Sequence, residues 1–437
     1  MTATLAPRTV EAGAPPWWFE FVELTVELGV GASGNKNPVG RWDRAHWDKP
    51  ATGTWSGLEP VWVPVDPCML LEVGVSRGRD RWIDRFGASS ATLRIQDPDG
   101  RLSWDAAASD DLLAVRPGRE VRIRALHVGS GVQYPVWRGF LETIDDTFDP
   151  GGVPIAAFTA QDSYAQLAHI DLLERDPPVG AGESSDARVN RLLDLADWPL
   201  EWRDIDPGMI TVQATNLARP IADDLGITAD SEGGAVFADR RGRICFRNRD
   251  WLRTDPHATE LQATIGGADE DVCAAGYETT RSAGDIVNDI QLARAGGTMQ
   301  HYIDAGSISR YRHRTYQRSD FVCEDDAQVG VLARRILNTR ASGQVRIPKL
   351  TITPGYEPDD WAFVCAVDYG WRLEVHYPTT AGTDWTRTVL VQGVDHRITP
   401  GGWTCELRVD DAVAGLTAAD VWDGEHGWDR ALWSAPV

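Results

Sequence analysis

The sequence is nearly without lysine. Only Lys36, Lys49 and Lys349 carry that side chain, so arginine supplies almost all of the positive charge. Acidic residues outnumber basic ones by 65 to 43, and the net charge is −22. Such a surface repels phosphate backbones and argues against a nucleic-acid binder. It is compatible with plain solubility, or with a wall that nucleic acid passes without adhering. Six cysteines (Cys68, Cys245, Cys273, Cys323, Cys365 and Cys405) are scattered without a C-x-x-C pair. That excludes a disulfide framework and a zinc ribbon, and leaves cysteine as a small core residue of a protein folded in a reducing cytoplasm. There is no run of 18 apolar residues, so no membrane-spanning segment is expected. The first residues, MTATLAPRTVEAGAPPWWFEF, hold no apolar signal-peptide core.

Catalytic signatures are missing as well. No Walker A, H-E-x-x-H or G-x-S-x-G pattern occurs. GVGASG at 29–34 has the glycine spacing of a dinucleotide loop, yet Pro38 blocks the helix that would hold a pyrophosphate. DPDG at 97–100 lacks the later positions of a calcium loop and reads as a tight turn. The histidines are dispersed; His301 and His313 share a segment without metal spacing. Acid pairs at Asp145/Asp146, Asp223/Asp224 and Asp359/Asp360 arise readily by chance in so acidic a chain. The reading is a non-enzyme with no catalytic, cofactor-binding or metal residue.

What is present is β structure. A chain of 437 residues is long enough for about three domains. Period-2 alternation marks strands at 19–30, 69–75, 91–96, 120–126 and 136–144. In EVRIRAL (120–126), Val121, Ile123 and Ala125 face one side and Arg122 and Arg124 the other, as in an antiparallel sheet with one wet face. The middle changes period. SSDARVNRLLDLADW (184–198) spaces Val189, Leu192, Leu193 and Ala196 as a helix, and 214–234 reads as a second helix with Pro220 near its first turn. A hairpin follows, turning at Arg241-Gly242. Strands return at 276–280, 287–296, 349–354, 371–377, 387–398 and 403–410. One helix (325–339) carries Val329, Leu332, Ala333, Ile336 and Leu337 on one stripe.

Two stretches resemble each other. In 137–167 and 391–416 a glycine precedes an isoleucine by five positions (Gly139 and Ile144; Gly393 and Ile398). A Pro-Gly-Gly turn and an alternating strand follow. Each closes on a similar octapeptide, AQDSYAQL (160–167) against VDDAVAGL (409–416), with Asp162 and Asp411 at the N-cap-like place and Leu167 and Leu416 packing back. The expectation is a mainly β, α+β chain in which two related β-barrel-like domains flank a smaller α/β insert. The domains are 1–160 (with a Trp-rich loop at 40–62), 161–262 and 263–412, with an extended Trp-rich tail at 413–437. Helix 325–339 is placed near the insert.

This order of elements is similar to that of baseplate-hub or tail-hub minor tail proteins of tailed bacteriophages. The stretches WRGFLETID…FTAQDSYAQLAHID (137–171), RVNRLLDLADWP (188–199), SEGGAVFADRRGRICFRNRD (231–250), VNDIQLARAGGTMQHYIDAGSISRYRHRTY (287–316) and VLVQGVDHRITPGGWTCELRVDDA (389–412) resemble those of phages of actinobacteria with siphovirus tails. The resemblance runs from about residue 60 to 412. It implies a structural virion protein at the tail tip, made in the host cytoplasm. It implies a homotrimer between a sixfold tail-tube or distal-tail ring and threefold tip or fibre proteins. Tape-measure protein and exiting DNA would pass its channel. Three copies of a chain with two look-alike barrels present six similar domains to a sixfold ring. A glycan-binding or glycan-cleaving tip protein is the alternative, and the hub of a contractile injection device is a third reading.

Nineteen tryptophans remain to be placed. Trp42-Asp43-Arg44-Ala45 recurs as Trp428-Asp429-Arg430-Ala431, each with another tryptophan close behind, Trp47 and Trp433. Trp55 and Trp422 lie nearby. Indoles on irregular segments suit interfaces, their own barrels or sugar faces. These ten residues (the two Trp-Asp-Arg triplets with Trp47, Trp55, Trp422 and Trp433) are the candidate interface set, read as strap-like arms between subunits.

Overall fold

A computed structural model describes residues 16–30, 61–81, 83–98, 100, 102, 116–148, 151–266, 271–280, 282–342, 346–355, 357–378 and 384–412. The first part holds β1 (Val22–Val30), β2 (Val61–Pro64), β3 (Leu70–Gly78), β4 (Ser90–Gln96), β5 (Glu120–His127), β6 (Val132–Phe148) and β7 (Pro154–Gln161). The middle holds α1 (Ser163–Ala168), β8 (Glu183–Ser184), α2 (Ser185–Leu195), β9 (Arg203–Ile205), β10 (Thr211–Val212), α3 (Ile221–Glu232), β11 (Ala235–Ala238), β12 (Ile244–Arg247), α4 (Trp251–Thr254) and α5 (Pro256–Thr259). Then come β13 (Leu261–Gly266), β14 (Val272–Thr280), β15 (Asp289–Arg294), β16 (Gln300–Ile303), α6 (Ala305–Tyr311), β17 (Thr315–Phe321), α7 (Asp326–Arg340) and β18 (Arg346–Ile352). α8 (Pro358–Ala366), β19 (Arg372–Pro378), β20 (Asp384–Thr399) and β21 (Gly402–Asp411) complete the order.

One sheet of 13 strands runs through the molecule. Its second half closes into a six-stranded barrel, β19-β13-β14-β18-β21-β20, through the extra β19–β20 pairing. Its first half repeats that order: β1, β3, β4, β7, β6 and β5 stand where β13, β14, β18, β21, β20 and β19 stand. The two differ around β1, which runs antiparallel to β5 where β13 runs parallel to β19, and which pairs with β2 where β13 pairs with β14. The first half stays open, ending on the short edge strand β2.

The hairpins β6–β7 and β20–β21 match pair for pair. Phe140 faces Gln161 as Leu390 faces Asp410, and Phe148 faces Pro154 as Ile398 faces Trp403. A bulge interrupts both at the same step, after Leu141–Ala160 and after Val391–Val409. This register corrects the glycine alignment: Thr143, not Gly139, follows the bulged residue as Gly393 does. The two glycines answer different needs. A Cβ at Gly139 would strike the Trp137 ring at 2.4 Å and the Gln161 carbonyl at 2.3 Å; at Gly393 it would strike the Arg408 guanidinium at 2.5 Å.

Alternation explains the core. Val121, Ile123 and Ala125 are fully buried, while Arg122 and Arg124 turn outward onto Glu27. Burial would raise the Glu27 carboxyl, and the two guanidiniums overcome it and hold it below the usual range. A single apolar cluster joins both halves, from Ile123 and Phe158 to Trp361 and Leu407.

The helices follow sequence signals with two corrections. α2 buries Val189, Leu192 and Leu193 completely. α3 starts only at Ile221, with Pro220 as its N-cap residue and Gly233 (φ 73°) as its C-cap. The proline disfavours helical backbone at Arg219, and Leu217 already has φ 49°. α8 is a helix that alternation did not announce, although Pro358 at its start and Asp359 and Asp360 in its first turn are favourable there. The α7 residues Val329, Leu332, Ala333 and Ile336 pack with β15, β17 and with Ile210, Val212 and Ile227 of the middle region. The turn at Gly242 (φ 84°) joins β11 to β12, and DPDG is a turn closed by Gly100 N–H to Asp97 O at 2.9 Å. Four cysteines are buried, but Cys273 is exposed.

Candidate functional site

The residues that fix the halves to each other converge at the tip of the β20–β21 hairpin. The turn Trp17–Glu20, ahead of β1, lies across it. Trp18, Trp361 and Trp403 form a triangle with centroids 6.0 to 6.2 Å apart, and Phe21 stacks on Trp361 at 5.9 Å. Each indole N–H has an acceptor. Trp18 donates to Thr399 O (3.1 Å), Trp17 to Gly401 O (3.3 Å), Trp361 to Gly355 O (2.8 Å) and Trp403 to His396 Nδ1 (3.1 Å). His396 therefore accepts at Nδ1. Burial, with Arg77 and Arg240 near by, pushes its pKa down to about 3, so the ring is neutral.

Beneath the aromatics lies an ion cluster built from three regions. Asp368, just after α8, pairs with Arg77 of β3 at 3.1 Å and with Arg240 of the β11–β12 turn at 3.0 Å. Burial would raise the Asp368 carboxyl; the two guanidiniums outweigh it and keep it low. Arg240 also donates to the Cys365 and Ala366 carbonyls at the end of α8. Arg79 donates to Gln392 Oε1 at 2.9 Å. Gly78 (φ 105°) faces Gly393 where β3 meets β20, because a Cβ there would lie 2.4 Å from the Gln392 carbonyl and from Gly393 Cα. On the far side Asp410 binds Arg340 of α7 and Arg346 of β18.

A second polar node opens the middle region. Asp162, the N-cap of α1, accepts from Tyr164 N–H, Ala165 N–H, Ser89 N–H and the Ser89 hydroxyl. Burial pushes its pKa up to about 6 against those bonds. The hydrogen bond from Trp137 Nε1 to Ser89 Oγ (3.0 Å) ties this node to β6.

These nodes lock modules together. Among the described residues no three metal-ligating side chains converge, and no helix is long and apolar enough to cross a membrane. A groove of about 580 Å³ lies between the β3–β4 connection and the start of β17, lined by Arg81, Arg85, Arg314, Tyr316 and Arg318.

No family model matches the chain, and no curated protein matches it. Solved structures do. A tail protein from Neisseria meningitidis MC58 superposes with a TM-score of 0.57 at 12% identity, covering 90% of this chain and 98% of that one. The 43 kDa tail protein of prophage MuSo2 from Shewanella oneidensis gives 0.56 at 11% identity, covering 90% and 99%. The chain has the fold of a phage tail protein. The likeness spans nearly the whole of both chains.

The candidate interface residues Trp42, Asp43, Arg44, Trp47, Trp55, Trp422, Trp428, Asp429, Arg430 and Trp433 all lie outside the described residues. Neighbouring Trp62 is described, with the Arg122 guanidinium 4.0 Å and that of Arg138 5.2 Å from its ring. Sequence reasoning missed Trp17, Trp18, Trp361 and Trp403 as one cluster. Their only local signal was the doublet in PPWWFEF.

Proposed function

We propose that this chain is a structural virion protein: the homotrimeric hub of a phage tail tip. It joins a sixfold tail-tube or distal-tail ring to threefold tip or fibre proteins, around a channel for the tape-measure protein and DNA. The observation that carries this reading is the repeated strand order of the two halves, with hairpins paired in the same register. Two like modules per chain let three copies offer six like surfaces to a sixfold neighbour. The fold shared with two phage tail proteins over nearly their full lengths supports it. The charge of −22 suits a wall that DNA crosses without binding.

In this reading the chain is a scaffold rather than an enzyme. The Trp-Asp-Arg cassettes at 42–44 and 428–430 serve as straps to neighbouring subunits. Imaging of intact particles, with the native mass of the purified chain, tests the hub; a chain that is monomeric in both settings refutes it. Deletion of 418–437 tests the straps, and unchanged trimers and unchanged tail attachment would remove that assignment.

A further inference from the structure

The two matched hairpins end differently. At the β20–β21 tip Ile398 is 2% exposed, in one apolar cluster with Trp18 and Trp403. Its counterpart at the β6–β7 tip, Phe148, is 71% exposed. Asp145 and Asp146, three and two positions before it on β6, are exposed. Asp145 has no ion pair among the described residues. An apolar side chain is covered at one hairpin tip by the chain's own N-terminal turn and, among the described residues, left bare beside two acids at the other.

The opposite chemistry sits on the connection from α6 to β17. Arg310, Arg312 and Arg314 are exposed and without an ion pair among the described residues. By contrast Arg81, Arg85 and Arg318 in the adjoining groove are matched by Asp84, Asp230, Asp285 and Asp320. The loop is held in place. Arg312 has φ 66° and ψ 174°, a strained backbone for a residue with a side chain. Fully buried Asn288 clamps it: its Nδ2 donates to Arg312 O (2.9 Å) and Ser307 Oγ (3.0 Å), and its Oδ1 accepts from Arg314 N–H (2.8 Å). Ile303, 52% exposed, lies two strands across from Thr315 through Asp289.

The two patches cannot meet within one chain. Arg314 shares its groove with the β3–β4 connection, at the Ser90–Gln161 end of the sheet. Phe148 lies beyond the other end, where Gln96 faces Ile155. The intervening strand alone spans about 20 Å at roughly 3.3 Å per residue.

We propose that the Arg310–Arg312–Arg314 loop of one copy docks on the Phe148 tip of a second copy of this chain, with Ile303 beside Phe148. This rests on the homotrimer reading and names its contact. Contact between two different patches is head-to-tail, the type that closes into rings. Chains of charge −22 repel one another, and this loop supplies the local counter-charge any copy-to-copy contact needs. A rigid loop also loses little freedom on docking.

Charge exchange tests it on the full chain, read by native mass spectrometry and sedimentation. The triple variant Arg310→Glu, Arg312→Glu, Arg314→Glu is expected to weaken self-association roughly tenfold or more, as is Asp145→Arg with Asp146→Arg. Both sets in one chain restore it. Phe148→Ser weakens it without lowering the unfolding temperature. Trimers that survive both reversals, or a combined chain no better than either set alone, overturn the docking and leave the hub reading standing. A wild-type chain that never assembles, even in particles, overturns both. Retention of duplex DNA that is lost in the triple variant would instead assign the loop to nucleic acid and overturn the copy-to-copy contact.

Discussion

Trp18 donates its indole N–H to the carbonyl of Thr399, 381 positions later in the chain. The bond joins the turn before β1 to the last hairpin, so the first and last described elements share one core. Trp18→Ala removes the ring that stacks on Trp361 and covers Trp403. The expected loss is about 3–5 kcal/mol. Trp18→Phe keeps an apolar ring and gives up the N–H, for a smaller loss of about 1 kcal/mol. Denaturant unfolding monitored by far-UV dichroism measures both.

Asp368 lies between the buried Arg77 and the half-buried Arg240. Asp368→Asn keeps the shape and leaves Arg77 and Arg240 without a counter-charge, which costs about 3–5 kcal/mol. Replacing Asp368 together with Arg77 and Arg240 by apolar residues of like volume is expected to recover much of that loss. Unfolding midpoints of the two variants check the order.

His396 makes stability depend on pH. Its pKa in the folded chain, about 3, lies below the ordinary 6.5 that the unfolded chain keeps. Above pH ~6.5 both states hold the ring neutral, and the full stability is present. Below it the unfolded chain takes up a proton that the folded chain refuses. Stability then falls by about 1.4 kcal/mol per pH unit until pH nears 3. His396→Gln cannot take that proton, so its stability curve between pH 7 and 4 is flatter than that of the wild type. Parallel curves would refute this.

Gly78 holds the seam between the halves. Gly78→Ala sets a Cβ against the Gln392 carbonyl and Gly393 Cα, in a backbone conformation that favours glycine. The expected cost is about 1–3 kcal/mol or more. Gly276→Ala, in open space on β14, is the control and stays within about 1 kcal/mol of wild type. Thermal unfolding of the pair measures the difference.

The sequence by itself determined which faces of strands and helices are buried. Val121, Ile123 and Ala125 in β5, and Val189, Leu192 and Leu193 in α2, are apolar at the period their elements require, and local spacing carries that information. It also marked the two related hairpins, since their octapeptides align without a gap. The start of α3 was misread because Pro220 looks the same just inside a helix as at its cap. Tertiary structure alone decided the rest. It set the hairpin register four residues away from the glycine match, since cross-strand pairing rather than sequence likeness places the bulge. It brought Trp18 to Trp403, and Arg77 to Asp368 and Arg240. Such contacts join residues hundreds of positions apart, and no local period records them. Among the described residues it left Phe148 bare while covering Ile398, because the N-terminal turn folds over the tip of the second hairpin.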